Sequence, residues 1–139
     1  MTPASTKGLS RRSGNNAPPP YVPRTLRIPF IRRCYLLRSR VEHDGLMLDL
    51  SLKGAYVATD LLPTKDESLK VSFCVPGNDR LLSVPAVVAW VNPHQAHPVH
   101  SLPPGFGLYF LDPTPQDALI ITRAIQDYCR SNPVYRQYL

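Results

Sequence analysis

The stretch Asp49-Leu50-Ser51-Leu52-Lys53-Gly54 is where side-chain type and spacing come nearest to a chemistry. On an extended strand alternate side chains face opposite ways, so Leu46, Leu48 and Leu50 are expected to take a core face. Asp49 and Ser51 then share the outer face, and Gly54 closes a turn where a missing Cβ allows unusual dihedrals or close approach of a ligand. A carboxylate beside a hydroxyl suits the donors and acceptors of a guanine edge. The plainer reading of the same residues is a polar outer face leading into a tight hairpin. Upstream, Arg24 and Arg27 lie in Pro-Arg-Thr-Leu-Arg-Ile-Pro, just before the first apolar alternation. Guanidinium groups grip phosphate in a bidentate fashion and stack on flat bases, so the pair could clamp a nucleotide.

Short strands must position these groups. Leu69, Val71, Phe73 and Val75 alternate with Ser68, Lys70, Ser72 and Cys74, the pattern of a half-buried strand. Residues 81–91 repeat it, with Leu82, Val84, Ala86, Val88 and Trp90 expected on one face. Further strands fit about 30–41, 46–50, 55–59 and 106–111, with turns at His43-Asp44-Gly45, Leu52-Lys53-Gly54, Pro76-Gly77-Asn78-Asp79 and Pro103-Pro104-Gly105. Six short strands at this spacing predict a closed antiparallel barrel or a sandwich. One helix follows: Thr114 is a cap, Pro115 the first helical residue, and Asp117 an acid three residues after the cap. Ile121, Ile125 and Tyr128 form its packing stripe, and Asn132-Pro133 ends it.

Charge is uneven along the 139 residues. Residues 1–40 carry nine Lys or Arg (Lys7, Arg11, Arg12, Arg24, Arg27, Arg32, Arg33, Arg38, Arg40) and no acid. The other 99 residues carry seven basic and ten acidic groups, so +9 and −3 combine to the overall +6. An anionic partner or a solvated tail would account for the excess. Residues 1–23, rich in Pro, Ser, Asn and Gly, are expected to be a disordered basic tail. Residues 24–132 are expected to form the barrel and helix, with 133–139 a short C-terminal tail.

Several function classes fall away. No apolar run is long enough to span a bilayer, and the N-terminus lacks a signal-peptide apolar stretch. Cys34, Cys74 and Cys129 match no zinc or redox spacing and read as reduced thiols, so a cytoplasmic protein is expected. His94, His97 and His100 recur every third residue in a proline-broken loop that would not fix metal geometry, so no metal site is expected. Asp49 and Ser51 have no histidine neighbour in sequence, and neither a nucleophile motif nor a phosphate-cradling glycine loop occurs. The protein is therefore expected not to be an enzyme and to need no cofactor. A basic arm on a small barrel could grip nucleic acid. Against that, the barrel is net acidic, and Phe73, Trp90, Phe106 and Phe110 are expected to point inward, leaving no stacking platform.

Taken together, these features resemble the PilZ domain, the bacterial receptor module for cyclic di-GMP. The family carries an arginine motif, RxxxR, before its first strand and a D/N-x-S-x-x-G motif on the next. Asp49-x-Ser51-x-x-Gly54 matches the second motif at all three positions. The Trp90 strand, the Leu102–Phe110 segment and Asp112-Pro113-Thr114-Pro115 leading into a helix are similar to the family's later elements, so the resemblance covers about residues 24–130. It implies a six-stranded antiparallel β-barrel with one C-terminal α-helix. It also implies cyclic di-GMP as ligand, held by Arg24, Arg27, Asp49, Ser51 and Gly54. Binding would draw the arginine loop onto the Asp49–Ser51 face and create a surface for a partner protein controlling motility, pili, adhesion or polysaccharide export. Stand-alone members of the family are monomers or homodimers. One departure stands out: the spacing here is Arg24-x-x-Arg27, and Pro23 occupies the place of the first arginine if Arg27 is the second. Some members of the family have lost the ligand and act as protein adaptors, which is the alternative role the resemblance implies.

Overall fold

The structure is a computed structural model that describes residues 22–93 and 102–139 of the chain. Residues 1–21 of the expected tail, and the histidines His94, His97 and His100, lie outside the described residues. Six strands form the body: β1 (Ile28–Arg38), β2 (Val41–Leu50), β3 (Gly54–Ala58), β4 (Ser68–Phe73), β5 (Leu82–Asn92) and β6 (Gly105–Phe110). They close into an antiparallel barrel in the order β1-β2-β3-β6-β5-β4. A helix, α1 (Pro115–Ser131), and a short 3-10 turn (Pro133–Tyr138) complete the chain.

The alternation read from the sequence drives the closure. Leu69, Val71 and Phe73 of β4 and Leu82, Val84, Ala86 and Val88 of β5 turn into the barrel and are buried. Each large aliphatic or aromatic side chain buried in this way is worth about 1.5–3 kcal/mol. The core extends back to Val22, inside the segment expected to be a tail. Ile121, Ile125 and Cys129 of α1 join the same core. Thr114 caps the helix by accepting the Asp117 amide, and Arg80 Nη2 lies 2.9 Å from Asp117 Oδ1, pinning the β4–β5 loop to the first turn of α1. At the far end Tyr135 of the 3-10 turn packs edge-on against Tyr128. All three cysteines are free, and burial pushes the Cys34 thiol up to about 12.

Three expectations are corrected. The β1–β2 turn does not sit at His43-Asp44-Gly45, which lies inside β2; it is made by Ser39 and Arg40, with φ of 49° and 66°. Gly45 is needed for packing instead, since a Cβ there would lie 2.7 Å from Val57 Cγ1. Leu46 and Leu48 do not share the core face with Leu50. Between the pairs Pro29↔Asp49 and Arg32↔Met47, β1 carries one extra residue, and across this bulge Met47 takes the core position while Leu46 is exposed and Leu48 half-buried. Trp90 does not face inward. Between Val88↔Leu108 and Trp90↔Gly107 an extra residue in β5 flips the alternation, so the indole lies on the outer face against Gly107, stacked on Tyr56 at 5.3 Å.

Two non-glycine residues in succession at positive φ, each costing about 1–2 kcal/mol in that region, make the β1–β2 turn the least favourable local geometry in the barrel. Arg40→Gly is expected to raise stability by about 1 kcal/mol, measured by urea denaturation; an unchanged or lower midpoint would show that the turn is not strained.

Candidate functional site

The site is built where β2 leaves the barrel wall. β2 pairs with β3 at Leu46↔Ala58 and Met47↔Val57, and beyond these positions the two strands diverge. Side chains take over the missing hydrogen bonds. Asp49 Oδ1 accepts the Tyr56 amide at 2.8 Å. Ser51 Oγ accepts the amides of Lys53 and Gly54, each at 3.1 Å, while the Ser51 amide donates to the Gly54 carbonyl at 2.8 Å. Gly54 then lies against β6 so closely that a Cβ would fall 1.8 Å from the Leu108 carbonyl oxygen.

These contacts revise two of the expected roles. Ser51 is buried, and its hydroxyl is occupied by the turn rather than standing free beside Asp49 on the outer face. Gly54 has an ordinary negative φ, and its missing Cβ admits the β6 backbone, not a ligand. Asp49 does face outward, opposite Pro29.

The arginine loop is fastened to this corner. Val22 and Ile28 are buried at its two ends, and the Leu26 amide donates to the Pro23 carbonyl at 3.1 Å, closing a turn with Arg24 and Thr25 at its tip. Arg27 Nη1 donates to Asp49 Oδ1 at 2.8 Å, so one carboxylate oxygen accepts from both the loop and β3. Other cations of the basic N-terminal stretch are also engaged: Arg32 Nε donates to the Cys74 carbonyl, and Arg38 grips Glu67 with two nitrogens. The amide of Thr64, followed by the Arg38 guanidinium, holds the Glu67 carboxyl below its usual range. Arg24 makes no ion pair among the described residues.

Arg24 instead lines an open pocket of about 650 Å³ between the corner and α1. Its other walls come from Leu52 and Lys53 of the β2–β3 turn, from Tyr109, Phe110, Asp112 and Pro113 at the end of β6, and from Ala118, Ile121 and Thr122 of α1. Lys53 Nζ sits 5.4 Å from the centre of the exposed Tyr109 ring. Of the five residues expected at the site, Arg24 alone lines this pocket; Arg27 and Asp49 pair beside it, and Ser51 and Gly54 shape the turn. Sequence reasoning missed Lys53, Tyr109 and Asp112. Lys53 was visible within the motif as an unspecified position, whereas Tyr109 reaches the corner through the pairing Gly54↔Tyr109, which no local signal gives.

A family model for the PilZ domain matches residues 23–130. The chain belongs to the PilZ domain family. No curated protein sequence matches it. Among solved structures, this PilZ domain is similar to the Bacillus subtilis inhibitor of motility MotI/DgrA, at 19% identity and a TM-score of 0.62 over 89% of this chain; it spans 54% of that protein's length. It is similar also to the PilZ domain of CeSA from a cellulose-synthesizing bacterium, at 15% identity and a TM-score of 0.52, covering 73% of this chain and 97% of that one. The PilZ domain of YcgR from Escherichia coli, solved with c-di-GMP, aligns at 12% identity and a TM-score of 0.53, covering 76% of this chain and 93% of that one. At these identities the likeness is one of fold. No helix among the described residues is long and apolar enough to cross a membrane.

The PilZ motif is thus, in this chain, first a folding device. Gly54→Ala is expected to destabilise by about 2 kcal/mol or more, because the new Cβ must displace the β6 backbone. Ser51→Ala is expected to cost about 1–2 kcal/mol through the amides it strands. Chemical denaturation of both variants checks this; a wild-type midpoint for Gly54→Ala would refute the packing role.

Proposed function

We propose that this PilZ domain is a cytoplasmic cyclic di-GMP receptor that acts by binding and not by catalysis, and relays the signal to a partner protein. The observation that carries the reading is a pocket lined by Arg24 and by Lys53, one residue from each of the two segments that hold the family's ligand motifs, with Arg27 and Asp49 paired between the same segments. A cyclic dinucleotide presents two phosphates and two flat bases, and the corner presents cations at two points on one short loop. Arg27 is half-exposed and its pair with Asp49 is worth about 1 kcal/mol at most, so a phosphate could compete for it at modest cost. Exchange of Asp49 for phosphate at Arg27 would free the carboxylate to accept from a guanine edge, shift the loop and alter the surface a partner meets. The motility inhibitor among the structural neighbours makes control of motility the output to examine first.

A second reading has its own support. Pro23 stands where the first motif arginine would fall, and Arg27 already has a partner in Asp49. A domain so arranged would serve as an adaptor that works through protein contacts without the nucleotide. Nucleic acid is the third reading. Trp90 and Tyr109 on the outer face remove one objection to it, although they sit on separate parts of the wall, Trp90 opposite Gly107 and Tyr109 opposite Gly54.

Calorimetric titration with cyclic di-GMP separates these. Saturable one-site binding is expected, weakened at least tenfold, or about 1.4 kcal/mol, by Arg27→Ala and by Asp49→Ala. Absence of binding by the wild type at high ligand concentration would leave the adaptor, and steeply salt-dependent binding to any DNA would favour nucleic acid. The spacing is tested by Pro23→Arg. The turn uses only the Pro23 carbonyl, which the variant keeps, so tighter binding is expected if the missing guanidinium limits affinity. An unchanged affinity would mean that another cation already fills its place.

A further inference from the structure

We propose that Lys53 is that cation: with Arg24 it holds one phosphate of the ligand in place of the arginine that position 23 lacks, while Tyr109 offers its ring to a base. The inference rests on the cyclic di-GMP reading and assigns the contacts within it. Among the residues lining the pocket the cations are Arg24 and Lys53, and neither is engaged by a carboxylate among the described residues. Arg27, the remaining cation of the corner, is held by Asp49 outside the pocket lining. An anion entering here therefore meets Arg24 from the loop on one side and Lys53 from the β2–β3 turn on the other.

The placement of Lys53 is set by the backbone. Its carbonyl accepts the Phe110 amide at 2.8 Å, and its neighbour Gly54 pairs with Tyr109, so turn and strand end are locked side by side. The ammonium rests near the Tyr109 ring, a contact worth about 0.5–1 kcal/mol at an exposed site. That is weak enough to yield to a phosphate, and its release uncovers an aromatic face on which a purine can stack for about 1–3 kcal/mol. Asp112, the acid among the lining residues, supplies an acceptor suited to the N–H donors of a guanine edge. Phosphate, base face and base edge each meet a suitable group in one pocket.

Lys53 and Tyr109 are exposed, so replacing them leaves the core intact. Titration of the full chain with cyclic di-GMP is expected to show binding weakened roughly fivefold or more in Lys53→Ala, and near wild type in Lys53→Arg, which keeps the charge. Tyr109→Ala is expected to lose affinity where Tyr109→Phe retains it, since stacking needs the ring and not the hydroxyl. Thermal midpoints alongside confirm that all four variants are folded. If Arg27→Ala weakens binding while Lys53→Ala and Tyr109→Ala bind as wild type does, the receptor reading stands and this assignment falls. If the wild type fails to bind, both fall.

Discussion

One carboxylate oxygen, Asp49 Oδ1, joins three parts of the molecule. It belongs to β2, accepts the amide of Tyr56 in β3, and receives the guanidinium of Arg27 from the loop that precedes β1. The barrel needs such a group because β2 must leave β3 after Met47 to swing toward the loop, and backbone amides exposed by that departure would otherwise lack partners. Ser51 continues the repair one residue beyond the strand, and Gly54 lets β6 come in against the turn. The turn that closes this divergence supplies Leu52 and Lys53 to the pocket wall.

This division of labour gives the short motif a structural task in its own right. Ser51 Oγ is spent on two amides and Asp49 Oδ1 on Tyr56 and Arg27, while Lys53 is the residue the turn carries outward to the pocket. The long cationic stretch at the N-terminus follows the same logic. Arg27, Arg32 and Arg38 each fasten the chain to a different acceptor, whereas Arg24 lines the pocket.

The sequence made the barrel legible wherever alternation ran uninterrupted, as in β4 and β5 up to Val88, and the capped helix was visible at Thr114-Pro115. Bulges defeated it. One extra residue in β1 reassigned Leu46 and Met47, and another in β5 turned Trp90 outward, because period two cannot register an inserted residue without knowledge of the partner strand. Gly45 inside β2 carries a turn residue's signature, yet its small size makes room for Val57 of the adjoining strand, while the real turn uses Ser39 and Arg40, residues with no such signature. The motif was legible as spacing, but not that Ser51 and Gly54 would serve the turn; Tyr109 was not legible, since it arrives at the corner through pairing with Gly54, more than fifty positions away.

Closure of the barrel also constrains how any protein can attach to it. Each of the six strands has a neighbour on both sides, so the ring offers no full-length free edge for an incoming peptide to extend. A partner must therefore recognise this domain through side chains on its curved wall, its loops or α1. Recognition of that kind depends on which residues are displayed and not on main-chain hydrogen bonding, so a small change at the corner would be enough to change what is recognised.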